Sequence, residues 1–190
     1  MARESKFTID ELYTKTRSLL IHHGYDGFHF GLLAERLGVT RSALYKYYRN
    51  KDELITEFML YEMERFLREL KQIDQYETFE GQLDYLLELI FKYSKIHQIL
   101  LTIFRIPPST HEKVQENINI LEEKHLDMYS HLKRFIHLGR KEKKLKPHFP
   151  DEMILGFIFQ TVNIPKQPDL SSEKWCDMLK EFLLRGMEET

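Results

Sequence analysis

The chain has 190 residues, of which 42% are hydrophobic and 31% charged, proportions typical of a folded protein rather than a disordered one. Its net charge of −2 excludes a uniformly basic nucleic-acid-binding protein, and its one cysteine, Cys176, excludes a disulfide framework or a cysteine-based zinc site. Without an apolar signal-peptide core or an apolar stretch of membrane-spanning length, we expect a cytoplasmic protein.

Charge is unevenly distributed along the chain. Residues 1–51 contain nine Lys and Arg against five Asp and Glu, a balance of +4, whereas the remainder contains 19 basic and 25 acidic residues, a balance of −6. A basic amino-terminal segment on an acidic body indicates that one end of the protein binds a polyanion. The excess is small, and chance alone often produces one of this size in a short segment.

Helical signals begin at Thr8, which opens a capping box with a glutamate three residues later. Apolar residues at helical spacing follow as far as Gly24, which we expect to end this helix in a left-handed conformation. Two short helices are predicted at about 29–37 and 41–48. A second capping signal at Asn50 opens a long amphipathic helix.

The rest of the chain also has helical periodicity. Its apolar residues recur at helical spacing, and strand-like alternation never lasts for more than a few residues. We therefore predict an all-α fold of about nine helices. The later ones lie at about 79–94, 96–104, 110–141, 151–163 and 171–186, with breaks at Pro107-Pro108 and in a basic turn at 139–150.

The segment 29–48 has the pattern of a helix-turn-helix. Gly38 is expected to end the first helix with a positive φ, and Thr40 to be the N-cap of the second. In this motif the second helix enters the DNA major groove with its first residues against base edges. Any tight helical hairpin would suit the same pattern, which leaves DNA binding an open alternative. The residues expected to share its apolar patch are Leu33, Leu37, Val39, Leu44 and Tyr47.

Further matches extend beyond the hairpin, over about Ile9 to Leu54. They are Gly24-Tyr25, Leu33-Ala34, Gly38-Val39-Thr40, Leu44-Tyr45-Lys46-Tyr47-Tyr48 and Asn50-Lys51-Asp52-Glu53-Leu54. In these motifs the sequence resembles the TetR family of bacterial transcriptional repressors. It departs from the family at His29, where Thr or Ser is usual, at Ser42, where Gly is frequent, and at Tyr48, where Phe is frequent.

The resemblance implies an amino-terminal DNA-binding domain of three helices, at residues 1–52, and a helical ligand-binding and dimerisation domain at 53–190. It implies a homodimeric repressor that a small-molecule effector releases from a palindromic operator on double-stranded DNA. Such a protein is not an enzyme and needs no cofactor or metal. The operator, the effector and the regulated genes do not follow from the sequence.

Within this resemblance, the hairpin residues take different roles. Arg41 and Ser42 are the candidates for base edges, because they lie in the first turn of the second helix, and Ala43 could contact a thymine methyl group. The remaining candidates would contact the DNA backbone, which positions the helix without reading sequence. They are Thr40, Tyr45, Lys46, Tyr47, Asn50 and Lys51.

An effector pocket and a dimer interface are also implied. Aromatic residues are the pocket candidates, with His125 as the polar group, although aromatics at helical spacing more often form plain core. The pocket set is Phe58, Tyr61, Tyr85, Phe104, His125 and Tyr129. The last two helices would form the dimer through Ile154, Phe157, Ile158, Trp175, Met178, Leu179 and Phe182.

Two alternatives lack DNA binding. One is a helical interaction protein that uses the hairpin for a protein partner. The other is a single-site metal-binding helical bundle, for which the chain offers one Glu-x-x-His spacing, Glu122 to His125, where a di-iron site needs two. The sequence contains no phosphate-binding glycine loop, nucleophile elbow or zinc-protease motif, and we expect no catalytic residues.

Overall fold

The computed structural model describes residues 7–103 and 111–187, and in these ranges it contains ten α-helices, two short 3-10 segments and no strand. The prediction of an all-α fold is confirmed. No helix in the described ranges is both long enough and apolar enough to span a membrane. The helices are α1 (Ile9–Gly27), α2 (Phe30–Leu37), α3 (Arg41–Leu44), α4 (Lys51–Leu70), α5 (Phe79–Lys92), α6 (Ser94–Ile103), α7 (Glu112–His131), α8 (Lys133–Lys141), α9 (Asp151–Gln160) and α10 (Ser172–Met187).

The helices form two compact units. The first contains the chain up to Glu64 together with Lys95–Glu122, and the second contains Arg65–Ser94 together with the chain from Glu123 onward. This division differs from the functional boundary predicted after residue 52, because buried apolar residues at the start of α4 belong to the core of the first unit. The functional boundary stays a prediction.

Local sequence predicted the start of α1 correctly and its end incorrectly. The Thr8 hydroxyl accepts a hydrogen bond from the Glu11 amide at 3.1 Å, and the Glu11 carboxylate accepts one from the Thr8 amide at 2.9 Å, which completes the capping box. Gly24 has a φ of +65° and interrupts the helix, although helical structure resumes and ends at Gly27 rather than at Gly24. The positive φ explains why glycine stands there.

Polar pairs join the helices of the first unit. Glu62 of α4 is buried and forms an ion pair with Arg17 of α1. Asn117 of α7 donates a hydrogen bond of 3.0 Å to the hydroxyl of Thr56 on α4, and both side chains are buried. Because a buried polar group costs free energy when its partner is lost, these pairs hold α1 and α7 in register with α4.

One long helix was predicted at 110–141, and the structure divides it. The start predicted at Thr110 lies outside the described residues, and the chain turns at Leu132, between α7 and α8. Leu132 is in a turn between the two helices, with a φ of −77° and a ψ of −2°, and its side chain is fully buried. Apolar residues on both sides of the break, Met128 and Phe135, are buried as well.

The core of the second unit depends on Gly139. Phe79 of α5 and Phe135 of α8 stack with their ring centroids 4.7 Å apart. A Cβ atom on Gly139 would lie 2.7 Å from the Phe79 ring and 2.6 Å from Leu145. Only a residue without a side chain fits at this approach.

The last two helices divide the predicted dimer residues into two groups. Ile154, Ile158 and Leu179 are buried within the second unit and do not reach its surface. The core of the unit takes up this face of α9 and α10, and a role of these three residues in a dimer stays a prediction. Trp175 is half-buried. The remaining members, Phe157, Met178 and Phe182, are exposed by 60%, 47% and 76%.

Candidate functional site

The hairpin of α2 and α3 is built by hydrogen bonds at both ends of α2. His29 is the N-cap, and its Nδ1 accepts a hydrogen bond from the Leu32 amide at 3.3 Å. At the other end Gly38 has a φ of +65°, its amide donates to the Glu35 carbonyl, and the Val39 amide donates to the Ala34 carbonyl. These two bonds form a Schellman motif, which turns the chain toward α3.

The second helix of the hairpin is shorter than predicted. It ends at Leu44, and residues 45–47 continue as a turn. Thr40 occupies the N-cap position with an extended backbone, but its hydroxyl lies 2.9 Å from the Ser42 hydroxyl and caps no amide. The amides of Tyr47 and Tyr48 both donate to the Leu44 carbonyl, which tightens the chain after the first turn.

One side of the hairpin lies in the core of the first unit. Leu33 and Leu44 are fully buried, and Leu37 and Val39 are half-buried against the same core. Tyr47, predicted to share this patch, is instead 54% exposed, with its ring edge against Phe7. It is Tyr48 that points inward, and burial raises the pKa of its hydroxyl.

The opposite side carries the predicted DNA-binding residues. In the described part of the chain, neither the Arg41 nor the Lys46 side chain forms an ion pair. Tyr45 is 51% exposed and packs its ring against Phe30, with centroids 5.0 Å apart. Ala43 is half-buried. The exposed members of this surface, called the hairpin face below, are Thr40, Arg41, Ser42, Tyr45, Lys46 and Tyr47.

Two further cations border the hairpin face. Arg36 in the last turn of α2 and Arg49 before α4 are both exposed, and their side chains form no ion pair within the described residues. Neither was singled out from the sequence. A count of charged residues could have indicated them, because residues 29–51 contain five Lys and Arg but only one acidic residue, Glu35.

Asn50 and Lys51 have structural partners. The Asn50 side chain caps α4 by accepting a hydrogen bond of 2.8 Å from the Glu53 amide. The Lys51 ammonium donates to the Tyr25 carbonyl at 3.0 Å and lies 4.1 Å from the centre of the Tyr25 ring. The Tyr25 hydroxyl donates to Asp52 at 2.6 Å, and burial followed by this carboxylate raises the pKa of Tyr25.

The predicted effector residues fall in both compact units. Phe58 and Tyr61 of α4 belong to the first, where Phe58 is fully buried and both rings contact Tyr13. Tyr61 also donates a hydrogen bond of 3.0 Å to Asp10. These contacts assign Phe58 and Tyr61 to the packing of α1 against α4. Phe104 lies outside the described residues.

The other candidates belong to the second unit. The structure brings His125 and Tyr129 together on α7, with ring centroids 5.1 Å apart, and Tyr129 lies 6.0 Å from Phe159. Burial lowers the pKa of His125, which keeps its imidazole neutral at pH 7, and raises the pKa of Tyr129. The ring of Tyr85 stacks instead on Tyr76, and its hydroxyl donates a hydrogen bond of 2.7 Å to the Glu69 carbonyl.

A metal centre finds no support in residues 7–103 and 111–187. No group of three or more His, Cys, Asp and Glu side chains in these ranges could hold a metal ion. The candidate functional site with the most evidence is therefore the hairpin face.

Comparison with known proteins agrees with this choice. Residues 12–58 match the family model of bacterial regulatory proteins of the tetR family. The chain is 26% identical to the uncharacterized HTH-type transcriptional regulator YhgD of Bacillus subtilis (strain 168), over 98% of each chain.

Solved structures share the fold along most of the chain. FadR of Bacillus subtilis in complex with stearoyl-CoA has a TM-score of 0.67 at 17% identity, with 95% of this chain and 100% of that chain covered. AibR in complex with isovaleryl coenzyme A and operator DNA has a TM-score of 0.69 at 18% identity, with 91% and 96% covered.

The hairpin of α2 and α3 packs one side into the core and exposes a basic and aromatic side. This arrangement is that of a helix-turn-helix DNA-binding regulator. The tetR-family model matches the same part of the chain in which the motifs between residues 9 and 54 predicted a resemblance to the TetR family, and the chain is similar along its length to an HTH-type transcriptional regulator.

Proposed function

We propose that this regulator is a homodimeric repressor that binds a palindromic operator and is released from it by a small apolar effector. The observation that carries the proposal is the hairpin face, where Arg41 and Lys46 are exposed and without ion-pair partners in the described part of the chain. Unpaired cations on a rigid helical surface favour a polyanion, because binding releases the counterions of its phosphates.

Direct sequence reading falls to the first turn of α3. Arg41 can donate two hydrogen bonds to a guanine, and Ser42 can contact either base type. Lys46, Tyr45, Tyr47 and Thr40 would contact phosphates and fix the register. We add Arg36 and Arg49 to the phosphate contacts, because both are exposed at the border of the hairpin face. Since Asn50 caps α4 and Lys51 binds Tyr25, we assign these two the positioning of α4.

The exposed apolar face of α9 and α10 supports a dimer. Met153 and Phe157 on α9 and Met178 and Phe182 on α10 are exposed by 43–76%, and large apolar side chains exposed together are typical of an interaction site. A second copy of the chain would cover this face through the same residues, as two-fold symmetry requires. The pairing would give the assembly two hairpin faces, which a palindromic operator needs.

Aromatic side chains of the second unit support an apolar effector. Phe159 lies 6.0 Å from Tyr129 and 6.5 Å from Phe66, while Phe66 packs edge-on against Tyr93 at 5.3 Å. The neutral His125 adds a group that can donate or accept one hydrogen bond. A pocket lined by these side chains would take a ligand with a large apolar part. FadR and AibR, which bind acyl-CoA compounds, support the same class of effector.

The salt dependence of DNA binding tests the proposal. We expect the logarithm of affinity for labelled duplex DNA to fall linearly with the logarithm of salt concentration. The double substitution Arg36→Gln with Lys46→Gln removes two phosphate contacts from each hairpin face. For a dimer, the slope of log affinity against log salt should therefore become less steep by about 3 to 4. Fluorescence anisotropy at several salt concentrations measures it.

The matched control removes the same two charge types elsewhere. Arg68→Gln with Lys95→Gln changes two exposed residues outside the hairpin face, and its slope should equal that of the wild type. Equal slopes for both double variants, or no binding by the wild type at low salt, would contradict the proposal.

A further inference from the structure

A groove of about 550 Å³ lies in the second unit, between α8 and the chain that joins α4 to α5. Lys133, His137 and Lys141 line it from α8, and Tyr76 lines it from the opposite side. The volume is within the range of small-molecule binding sites. Neither the DNA-binding surface nor the aromatic cluster around His125 includes these residues.

The α8 wall concentrates positive charge. Lys133, His137 and Lys141 are spaced four residues apart, so their side chains lie on one face of the helix. Residues 133–146 contain seven Lys and Arg against one acidic residue. Within the described residues, neither Lys133 nor Lys141 forms an ion pair.

One carboxylate faces the groove. Asp74 lies 3.2 Å from the guanidinium of Arg134, which also lines it. The three Lys and Arg side chains of the lining and this single carboxylate together carry a net charge of +2. The Arg134 side chain is 79% exposed, and such exposed ion pairs are weak. Arg134 can therefore turn to a stronger anion without a large loss.

Tyr76 supplies an aromatic surface beside this charge. Its ring stacks on Tyr85 with centroids 5.2 Å apart and an interplanar angle of 28°, yet Tyr76 is 42% exposed. Gln82 donates a hydrogen bond of 2.9 Å to the Tyr76 carbonyl, which fixes the backbone there. The ring is thus held on one face and free on the other. Such a ring is a stacking surface for a planar base.

We propose that this groove binds a nucleotide, with its phosphates against Lys133 and Lys141 and its base on the free face of Tyr76. Ammonium groups of lysine bind phosphate as point charges, and base stacking adds sequence-tolerant affinity. The proposal is independent of operator binding, because it uses none of the residues of the hairpin face. It makes the second unit a sensor for a phosphorylated metabolite.

Calorimetric titration of the full chain with ADP, adenosine and inorganic phosphate tests this proposal. We expect ADP to bind more tightly than either fragment. Lys133→Gln with Lys141→Gln should weaken ADP binding at least about tenfold, whereas Arg68→Gln with Lys95→Gln should not change it. Tyr76→Leu should weaken ADP binding about tenfold and leave the affinity for phosphate unchanged, which separates stacking from charge.

Three results would overturn the proposal. The first is no ADP binding by the wild type at millimolar concentration. The second is equal binding of ADP and adenosine, which would remove the role of the phosphates. The third is a loss of duplex DNA affinity in Lys133→Gln with Lys141→Gln that the control variant lacks, because the groove would then be a DNA contact.

Discussion

Two cations in the predicted DNA-binding set differ in what surrounds them. Lys51 is half-buried and binds the carbonyl and ring of Tyr25, 26 residues earlier in the chain. Arg41 is exposed and, in the part of the chain that the structure describes, has no ion-pair partner. A sequence motif cannot separate the two, because the contact that occupies Lys51 depends on the tertiary fold. We therefore expect Arg41 to read DNA and Lys51 to stabilise the packing of α4 against α1.

Arg41→Ala should relax base preference at one position of each half-site. The loss of a bidentate contact with guanine is worth about 1–3 kcal/mol of discrimination. Affinity for random DNA should change little, because base contacts add nothing to non-specific binding. Competition with single-base variants of the operator measures it, and Arg68→Ala is the control. Equal losses on operator and random DNA would remove Arg41 from the base-reading role.

Local sequence predicts side-chain roles where both partners are close in the chain. Thr8 and Glu11, or Asn50 and Glu53, are three residues apart, and the predicted caps form in both pairs. The exposure of Tyr47 was not predictable in this way. Tyr47 and Tyr48 are adjacent and chemically identical, and the direction of the turn after Leu44 decides which of them enters the core.

Helix type and position were predicted better than helix ends. The break between α7 and α8 has no glycine or proline, and the apolar stripe continues through Leu132 without a gap. Periodicity therefore supports one helix there, while packing against the second unit's core favours two. The early end of α3 has the same origin, since Leu44 is buried and the chain must leave the helix to bury Tyr48 as well.

Gly139→Ala should destabilise the second unit by about 1–3 kcal/mol. The added Cβ would lie within 2.7 Å of Phe79, which is fully buried and cannot move without disturbing its stack with Phe135. The matched control is Gly186→Ala, where no atom lies within 4 Å of the added Cβ. Urea unfolding measures both, and a stability loss no larger than the control's would contradict this account of the core.

At the scale of the whole molecule, the function depends on pairing two hairpin faces. The sequence identified α9 and α10 as apolar, but it could not tell which apolar residues a single chain buries. The fold separates them, because the core takes Ile154, Ile158 and Leu179 and leaves Phe157 and Phe182 exposed. An exposed position is also the right one to test, since a polar substitution at Phe182 does not disturb the core.

Selection of bound sequences from random duplex DNA tests the central claim most directly. The wild type should enrich a palindrome whose half-sites lie about 10 base pairs apart, or a multiple of that distance, because each hairpin face needs a major groove on the same side of the duplex. Phe182→Glu should be a monomer by analytical ultracentrifugation and should enrich no palindrome. If the wild type enriches no sequence, or only an asymmetric one, paired recognition by two hairpin faces is contradicted.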